Sequence, residues 1–265
     1  MLIVKDVHKT FFPGSVNEKK ALQGVDLTLK DGDFVTVIGS NGAGKSTLLN
    51  AVAGVFPIDT GRIEISGTDV TKMPEYQRAR FIGRVFQDPM KGTAAGMMIE
   101  ENLAMAARRG KRPGLRWSSQ GEQTERFKAM LRELDLGLED RMTEHVGLLS
   151  GGQRQAVTLL MATLVRPELL LLDEHTAALD PKTAEKVLQL TDRIVRQHNL
   201  TTLMITHNMR DALRFGNRLI MMHAGRVVED IPGDVKKTLA VPDLLDLFEK
   251  RAGKDVAVGD AMLLG

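Results

Sequence analysis

The sequence predicts an α/β protein with a phosphate-binding core, an N-terminal antiparallel β-subdomain and an inserted α-helical subdomain. Three observations carry that expectation. A glycine-rich loop, Gly39-Ser40-Asn41-Gly42-Ala43-Gly44-Lys45-Ser46-Thr47, follows a β-branched run and opens an apolar helical stretch. A second apolar run, Leu169-Leu170-Leu171-Leu172, ends in the paired acids Asp173-Glu174. After it, helices and short apolar strands alternate, the rhythm of a parallel sheet.

Taken in order, Leu2–Val7 and Val25–Leu29 read as strands of mixed polarity. The Asp31-Gly32 turn leads into Phe34-Val35-Thr36-Val37-Ile38, whose side chains suit a buried strand. The Lys45 loop thus lies between a strand and a helix, the context a phosphate loop requires. Arg62-Ile63-Glu64-Ile65-Ser66 alternates as a half-exposed strand does, so this opening portion is expected to be antiparallel and to pack beside the core. From about Asp88 to Leu148 helical spacing replaces strand signals, as in Ile99–Arg108 and Glu122–Leu136. The basic run Arg108–Arg112, continuing into Pro113-Gly114, is read as a solvated loop between them. The α/β rhythm returns with helix Gly151–Val165, strand Leu169–Leu172, helix Pro181–Gln197 and strand Thr202–Thr206. A last strand pair, Arg218–Met222 and Arg226–Val228, turns at His223-Ala224-Gly225, and Leu244–Lys250 is a short helical tail. The expected organisation is one domain over 1–265: an α/β core at 1–87 and 149–230, a helical subdomain at 88–148, and a tail at 231–265.

Composition narrows the function classes. Lys+Arg 36 against Asp+Glu 34 leaves +2, which gives no strong global field for nucleic acid, and no nucleic-acid partner is expected. With no cysteine in the chain, disulfides, thiolate zinc sites and iron–sulfur ligation are excluded. Met1-Leu2-Ile3-Val4 runs straight into Lys5-Asp6, unlike a signal peptide. The most apolar stretch, Ala156 to Leu172, is broken by Arg166-Pro167, too short and interrupted to span a bilayer, so a soluble protein is expected.

Glycines at 39, 42 and 44 let backbone wrap a polyphosphate without Cβ interference. Lys45 brings a point charge to the β- and γ-phosphates, and the Ser46 hydroxyl suits Mg²⁺. A glycine turn with a chance lysine is the plainer account, but a random match in this length is on the order of one in a hundred at average glycine usage. Acids at the C-terminal edge of a buried strand lie at the usual ligand crevice of an α/β sheet. There Asp173 would hold Mg²⁺ through water, and Glu174 would orient or deprotonate an attacking water, help worth about 10²–10⁴-fold. An acid pair opening a helix is as common by itself; beside a phosphate loop, the chemical reading prevails.

Far downstream, Leu149-Ser150-Gly151-Gly152-Gln153 opens another apolar helix. Ser150 and one glycine would serve as an N-cap and turn. Two consecutive glycines followed by Gln153 point instead to close approach of a phosphate, and the residues alone leave the choice open. If both loops bind phosphate, one nucleotide can hardly use both from the same molecule. The economical arrangement is two copies meeting head to tail, each completing the other's ATP site.

In this order the residues resemble one family, the nucleotide-binding subunits of ABC transporters, over nearly the whole chain. Gly39–Thr47 is similar to its Walker A loop, Leu149–Gln153 to its LSGGQ signature, and Leu169–Asp173 with Glu174 to its Walker B strand and catalytic glutamate. Ala178-Leu179-Asp180 resembles the D-loop that crosses to the partner subunit. Gln87, after Gly83-Arg84-Val85-Phe86, matches the Q-loop glutamine that contacts Mg²⁺ and water. His207, after Thr202–Thr206, matches the switch histidine at the γ-phosphate, and Phe11, with Phe12 as the alternative, the aromatic that stacks on adenine. The chain departs from the common pattern at His175-Thr176-Ala177-Ala178, where most relatives have Pro or Ala after the two acids, and at Leu160–Leu164.

The resemblance implies a P-loop NTPase core of the ABC ATPase fold, with ATP as substrate and Mg²⁺ as cofactor. Lys45, Gln87, Glu174 and His207 would serve catalysis. Phe11 and Gly39–Thr47 would bind ATP, with Ser150, Gly151, Gly152, Gln153 and Asp180 reaching it from the partner subunit. Ser46, Gln87 and Asp173 would hold the metal. It further implies a homodimer or paired ATPase subunit, an integral membrane permease, an extracytoplasmic solute-binding protein in a bacterial import system, and a place on the cytoplasmic face of the membrane. The permease would dock along 88–99, where Pro89, Gly92, Gly96, Met97, Met98 and Ile99 suit an adaptable groove. The competing reading is a non-transport single-domain ABC ATPase, for example of the iron–sulfur assembly type.

Overall fold

The computed structural model describes residues 1–111 and 120–252. It divides into two compact units, Met1–Arg78 with Asn199–Gly265, and Ala79–His198. Arg112-Pro113-Gly114 and the last residues of the expected tail, 253–265, lie outside the described residues.

The first unit opens with β1 (Leu2–Phe11) and β2 (Lys19–Leu29), then β3 (Phe34–Gly39) and α1 (Lys45–Ala53). It continues through β4 (Thr60–Ile65), β5 (Thr68–Asp69) and α2 (Glu75–Arg78). The second unit holds β6 (Ile82–Val85), α3 (Ile99–Ala106), α4 (Gln120–Arg132), α5 (Gly151–Thr163), β7 (Leu169–Asp173) and α6 (Pro181–Gln197). The chain then returns to the first unit with β8 (Thr202–Ile205), α7 (Met209–Arg214), β9 (Arg218–His223), β10 (Arg226–Pro232), α8 (Gly233–Lys236) and α9 (Val241–Ala252).

Within the first unit, β2-β1-β4-β5 form the expected antiparallel sheet. Its inward face is made by alternate residues, Leu2 and Val4 from β1, Ile63 and Ile65 from β4, and Leu27 and Leu29 from β2, all buried. Both β1 and β2 run longer than their apolar alternation indicates, because register shifts after Val4, Val7 and Lys9 let His8 to Phe11, mostly polar, keep pairing with Lys19 to Gln23. In the same unit β3 lies parallel to β8 and to β9, and β9 pairs antiparallel with β10. Every residue of β3 is buried, as its β-branched run requires.

The C-terminal segment is more than a tail. Leu244 and Phe248 of α9 share one buried cluster with Ile38, Met209, Ala212, Leu219, Met221 and Ile231. Lys236 of α8 is also buried, its ammonium donating to Thr36 Oγ1 at 3.2 Å and to the carbonyl of Phe215 just past α7. Desolvation pulls its pKa down to about 8.

In the second unit β6 and β7 run parallel, from Ile82 beside Leu169 to Val85 beside Leu172. As expected, the described residues of 88–148 are helical or irregular and carry no strand. The segment before α3 is stapled rather than adaptable. Asn102, fully buried, accepts from the Ala94 amide at 2.8 Å and donates to the Ala94 and Met98 carbonyls at 3.2 and 2.9 Å. The amides of Gly147 and Val146 add bonds to Ala95 and Met97. Arg109 also departs from the reading of a solvated loop. Its guanidinium donates to the Ala162 carbonyl at 2.7 Å and to Val165, supplying carbonyls that the end of α5 leaves without helical donors.

Candidate nucleotide site

The first unit builds the phosphate loop. Gly44 begins α1 with φ of 99° and no side-chain cap, so the helix's first N–H groups face the loop. A Cβ on Gly44 would sit 2.6 Å from the Ala21 carbonyl oxygen, and one on Gly39 2.2 Å from that of Met222. Only glycine allows the loop to lie this close to β2 and β9. Lys45 is 7% exposed, and its ammonium donates to the carbonyls of Gly39 at 2.7 Å and Ser40 at 3.2 Å. A positive charge is thereby held inside the curl of the loop, with Ser46 exposed beside it. The turn between β9 and β10 braces the loop, Gly225 donating to the Ala43 carbonyl at 3.0 Å.

Phe11 is half-buried and meets Phe56 edge to face, with ring centres 5.2 Å apart and planes at 81°. Lys9 Nζ lies 5.5 Å from the Phe11 ring centre. Phe12, by contrast, is 68% exposed. His207 is exposed just past β8, and its neighbour Asn208 caps α7, accepting from the amides of Arg210 and Asp211 at 2.9 and 3.2 Å. Three predicted features, Phe11, the 39–47 loop with its Lys45, and His207, therefore belong to this unit.

The second unit carries the others. Asp173 ends β7 half-buried, and Glu174 follows with a left-handed backbone, φ 44°, rare for a residue with a Cβ. Gln87 is exposed one residue beyond Phe86, whose carbonyl accepts from Gln155 Nε2 at 3.0 Å. Sequence reading missed Gln155. Its signal was a polar side chain at helical spacing from Leu159 and Ala162 in α5, where a buried amide needs partners. His175 was noted only as a departure from pattern; it is 2% exposed, and desolvation lowers its pKa to about 4.

The choice left open at Ser150 has a local answer. Ser150 Oγ accepts from the Gln153 amide at 3.3 Å, while Gln153 Oε1 accepts from the Ser150 amide at 3.2 Å, a reciprocal capping box at the start of α5. The second glycine has a packing reason: a Cβ on Gly152 would lie 2.0 Å from Thr183 Cγ2. Thr183 belongs to the first turn of α6, where its amide is bound by Asp180 Oδ1 at 3.1 Å. The Thr183 hydroxyl and amide hold the Asp180 carboxyl below the usual range. The structure thus brings the glycine pair and Asp180 side by side at two adjoining helix starts.

A family model for the ABC transporter matches residues 22–177. The tyrosine transport ATP-binding protein of Clostridioides difficile (strain R20291) is 44% identical over 250 residues, 94% of this chain and 99% of that protein. The chain belongs to the ABC transporter family. A methionine import ATP-binding protein of Rhizobium johnstonii is 38% identical over 226 residues, 84% of this chain, which spans 59% of that relative's length. Among solved structures, a dimeric post-hydrolysis state of the ATP-binding cassette MJ0796, bound to ADP and Pi, superposes with a TM-score of 0.75 at 30% identity. That likeness covers 88% of this chain and 99% of the cassette. This ABC protein is an ATPase, the ATP-binding and ATP-hydrolysing subunit of a transporter, which settles the choice against the non-transport reading. Among the described residues no helix is long and apolar enough to cross a membrane.

Proposed function

We propose that two copies close head to tail around two ATP molecules and that this closure drives uptake of an amino acid through the permease. The observation that carries it is the placement of the glycine pair beside Asp180 at two adjoining helix starts, where Ser150, Gly151 and Asp180 are exposed. Lys45 of one protomer and Ser150 of the other would grip the same γ-phosphate. The capping box leaves Ser150 exposed, and its hydroxyl, while accepting from the Gln153 amide, keeps its own O–H to donate to a phosphate. Phe11, pinned by Phe56, offers a preorganised ring for adenine. Core at 1–87 and 149–230 and helical subdomain at 88–148 remain the proposed division of labour, with α9 packed into the buried cluster around Ile38 instead of trailing as a tail.

The donors assigned to metal are a hydroxyl, a carboxylate and an amide oxygen, from Ser46, Asp173 and Gln87. All are hard oxygen ligands, few enough to leave room for the waters Mg²⁺ retains, so the set fits that ion. When bound with ATP it would supply charge neutralisation at the β- and γ-phosphates. The chain's own residues do the rest. Glu174 takes a proton from the attacking water, Lys45 holds the γ-phosphate, and His207 senses it. Loss of the γ-phosphate removes what joins the two protomers, a two-state equilibrium biased by ligand.

Names of the relatives, tyrosine transport and methionine import, support an amino acid as cargo and inward transport. An extracytoplasmic solute-binding protein would deliver it, and the subunit would sit on the cytoplasmic face. Met90, 50% exposed after the Q-loop glutamine, marks the permease-facing surface. The test is Glu174→Gln, which should slow hydrolysis by about 10²-fold or more while ATP stays bound and the dimer stays closed. A variant that remains monomeric in saturating Mg-ATP, by sedimentation, defeats the clamp.

A further inference from the structure

Glu174 takes a backbone conformation that a side-chain-bearing residue adopts only where its surroundings over-determine it. The loop that follows is tied down at several points. Ala177 donates to the Glu174 carbonyl at 2.9 Å, Leu179 donates to that of Thr176 at 3.1 Å, and Asp180 caps α6. The side-chain tie is His175, the only one of the six histidines that is buried. Its Nε2 lies 3.0 Å from Thr191 Oγ1, in the body of α6.

The hydrogen-bond network fixes how this tie works. Thr191 Oγ1 already gives its single proton to the Val187 carbonyl at 2.8 Å. It can therefore only accept from the imidazole, so Nε2 carries the hydrogen and the ring is a donor. Rotating the ring away would strand a buried N–H, which gives it one orientation. Because the ring hangs from the residue after Glu174, anchoring it restrains the peptide joining the two.

We propose that His175 is a positioning residue for Glu174: its ring, anchored on Thr191, holds the peptide that gives Glu174 its left-handed backbone and hence the direction of its carboxylate. This rests on Glu174 being the general base. A base displaced by an ångström loses activity without losing substrate, since binding is made elsewhere.

The experiment compares Thr191→Val, Thr191→Ser and His175→Ala for kcat, KM for ATP, nucleotide binding and thermal stability. Thr191→Val, nearly isosteric, removes the acceptor; Thr191→Ser keeps it. The expected result is kcat lowered ten- to a hundredfold in Thr191→Val and His175→Ala at unchanged KM, with Thr191→Ser like the parent. In a Glu174→Gln background, Thr191→Val should lower the residual rate no further. A folded Thr191→Val with parental kcat overturns the proposal, as does an undiminished effect in the Glu174→Gln background. Should Thr191→Val not fold, Thr191→Ala, which opens space instead of filling it, takes the same readings and the same two refutations. Parental turnover in Glu174→Gln itself would instead refute the role of Glu174, a separate outcome.

Discussion

Replacing Gly152 by alanine puts a methyl group 2.0 Å from Thr183 Cγ2 and 3.5 Å from Thr183 Cβ. Carbon atoms in contact settle at about 3.5–4.0 Å, so the first pair must separate by about 1.5 Å. Thr183 cannot retreat with its backbone, because its amide is held by Asp180 Oδ1 at 3.1 Å in the first turn of α6. Overpacking of this kind costs about 1–3 kcal/mol. Alanine's better helix propensity returns at most about 1 kcal/mol, and less at the second position of α5. The net expectation is a loss of about 1–2 kcal/mol, a fall in Tm of roughly 4 °C for a chain of this size. Adding Thr183→Ser removes Cγ2 and leaves only the contacts at 3.5 and 4.0 Å, so the double variant should melt with the parent. A Gly152→Ala protein as stable as the parent, or a double variant as unstable as the single, refutes the packing account. Hydrolysis on the same samples separates two reasons for the glycine. If activity returns with stability, packing alone explains it; if stability returns and activity does not, a phosphate must also pass close to that backbone.

Acid should destabilise the second unit through His175. Its ring is neutral when folded, with a pKa of about 4 against 6.5 when unfolded, so between those values the unfolded chain binds more protons and stability falls as pH drops. The loss attributable to this ring is about 2 kcal/mol at pH 5, and urea melts of His175→Leu at pH 7 and pH 5 should lack that increment. Asn102→Ala should cost about 3 kcal/mol in urea denaturation, because buried backbone groups of Ala94 and Met98 lose their partner. The same variant should become sensitive to proteolysis between Ala94 and Met98, and resistance there would show that the staple is dispensable.

Most of the candidate site's groups can be placed from residue order. A phosphate loop works through backbone and one lysine in consecutive positions, so Gly39 to Thr47 declares itself without any fold. The buried runs at Phe34–Ile38 and Leu169–Leu172 were equally plain, since a strand covered on both faces needs no alternation. Less visible were the ends of β1 and β2, whose polar residues pair across register shifts that no periodicity reports. The segment after Gln87 reads as pliable from its Pro, Gly and Met content, yet it is fixed by Asn102, a residue inside the next helix.

The sequence by itself determined which chemical groups this subunit carries and in what order, because motif spacing and helix or strand period are local properties. Tertiary structure decided what several of those groups are for. Gly152 meets Thr183, His175 finds Thr191, and Arg109 reaches the end of α5, each through contacts made only when separate helices pack. Burial of a polar side chain depends on partners distant along the chain, and no local pattern records where they will be.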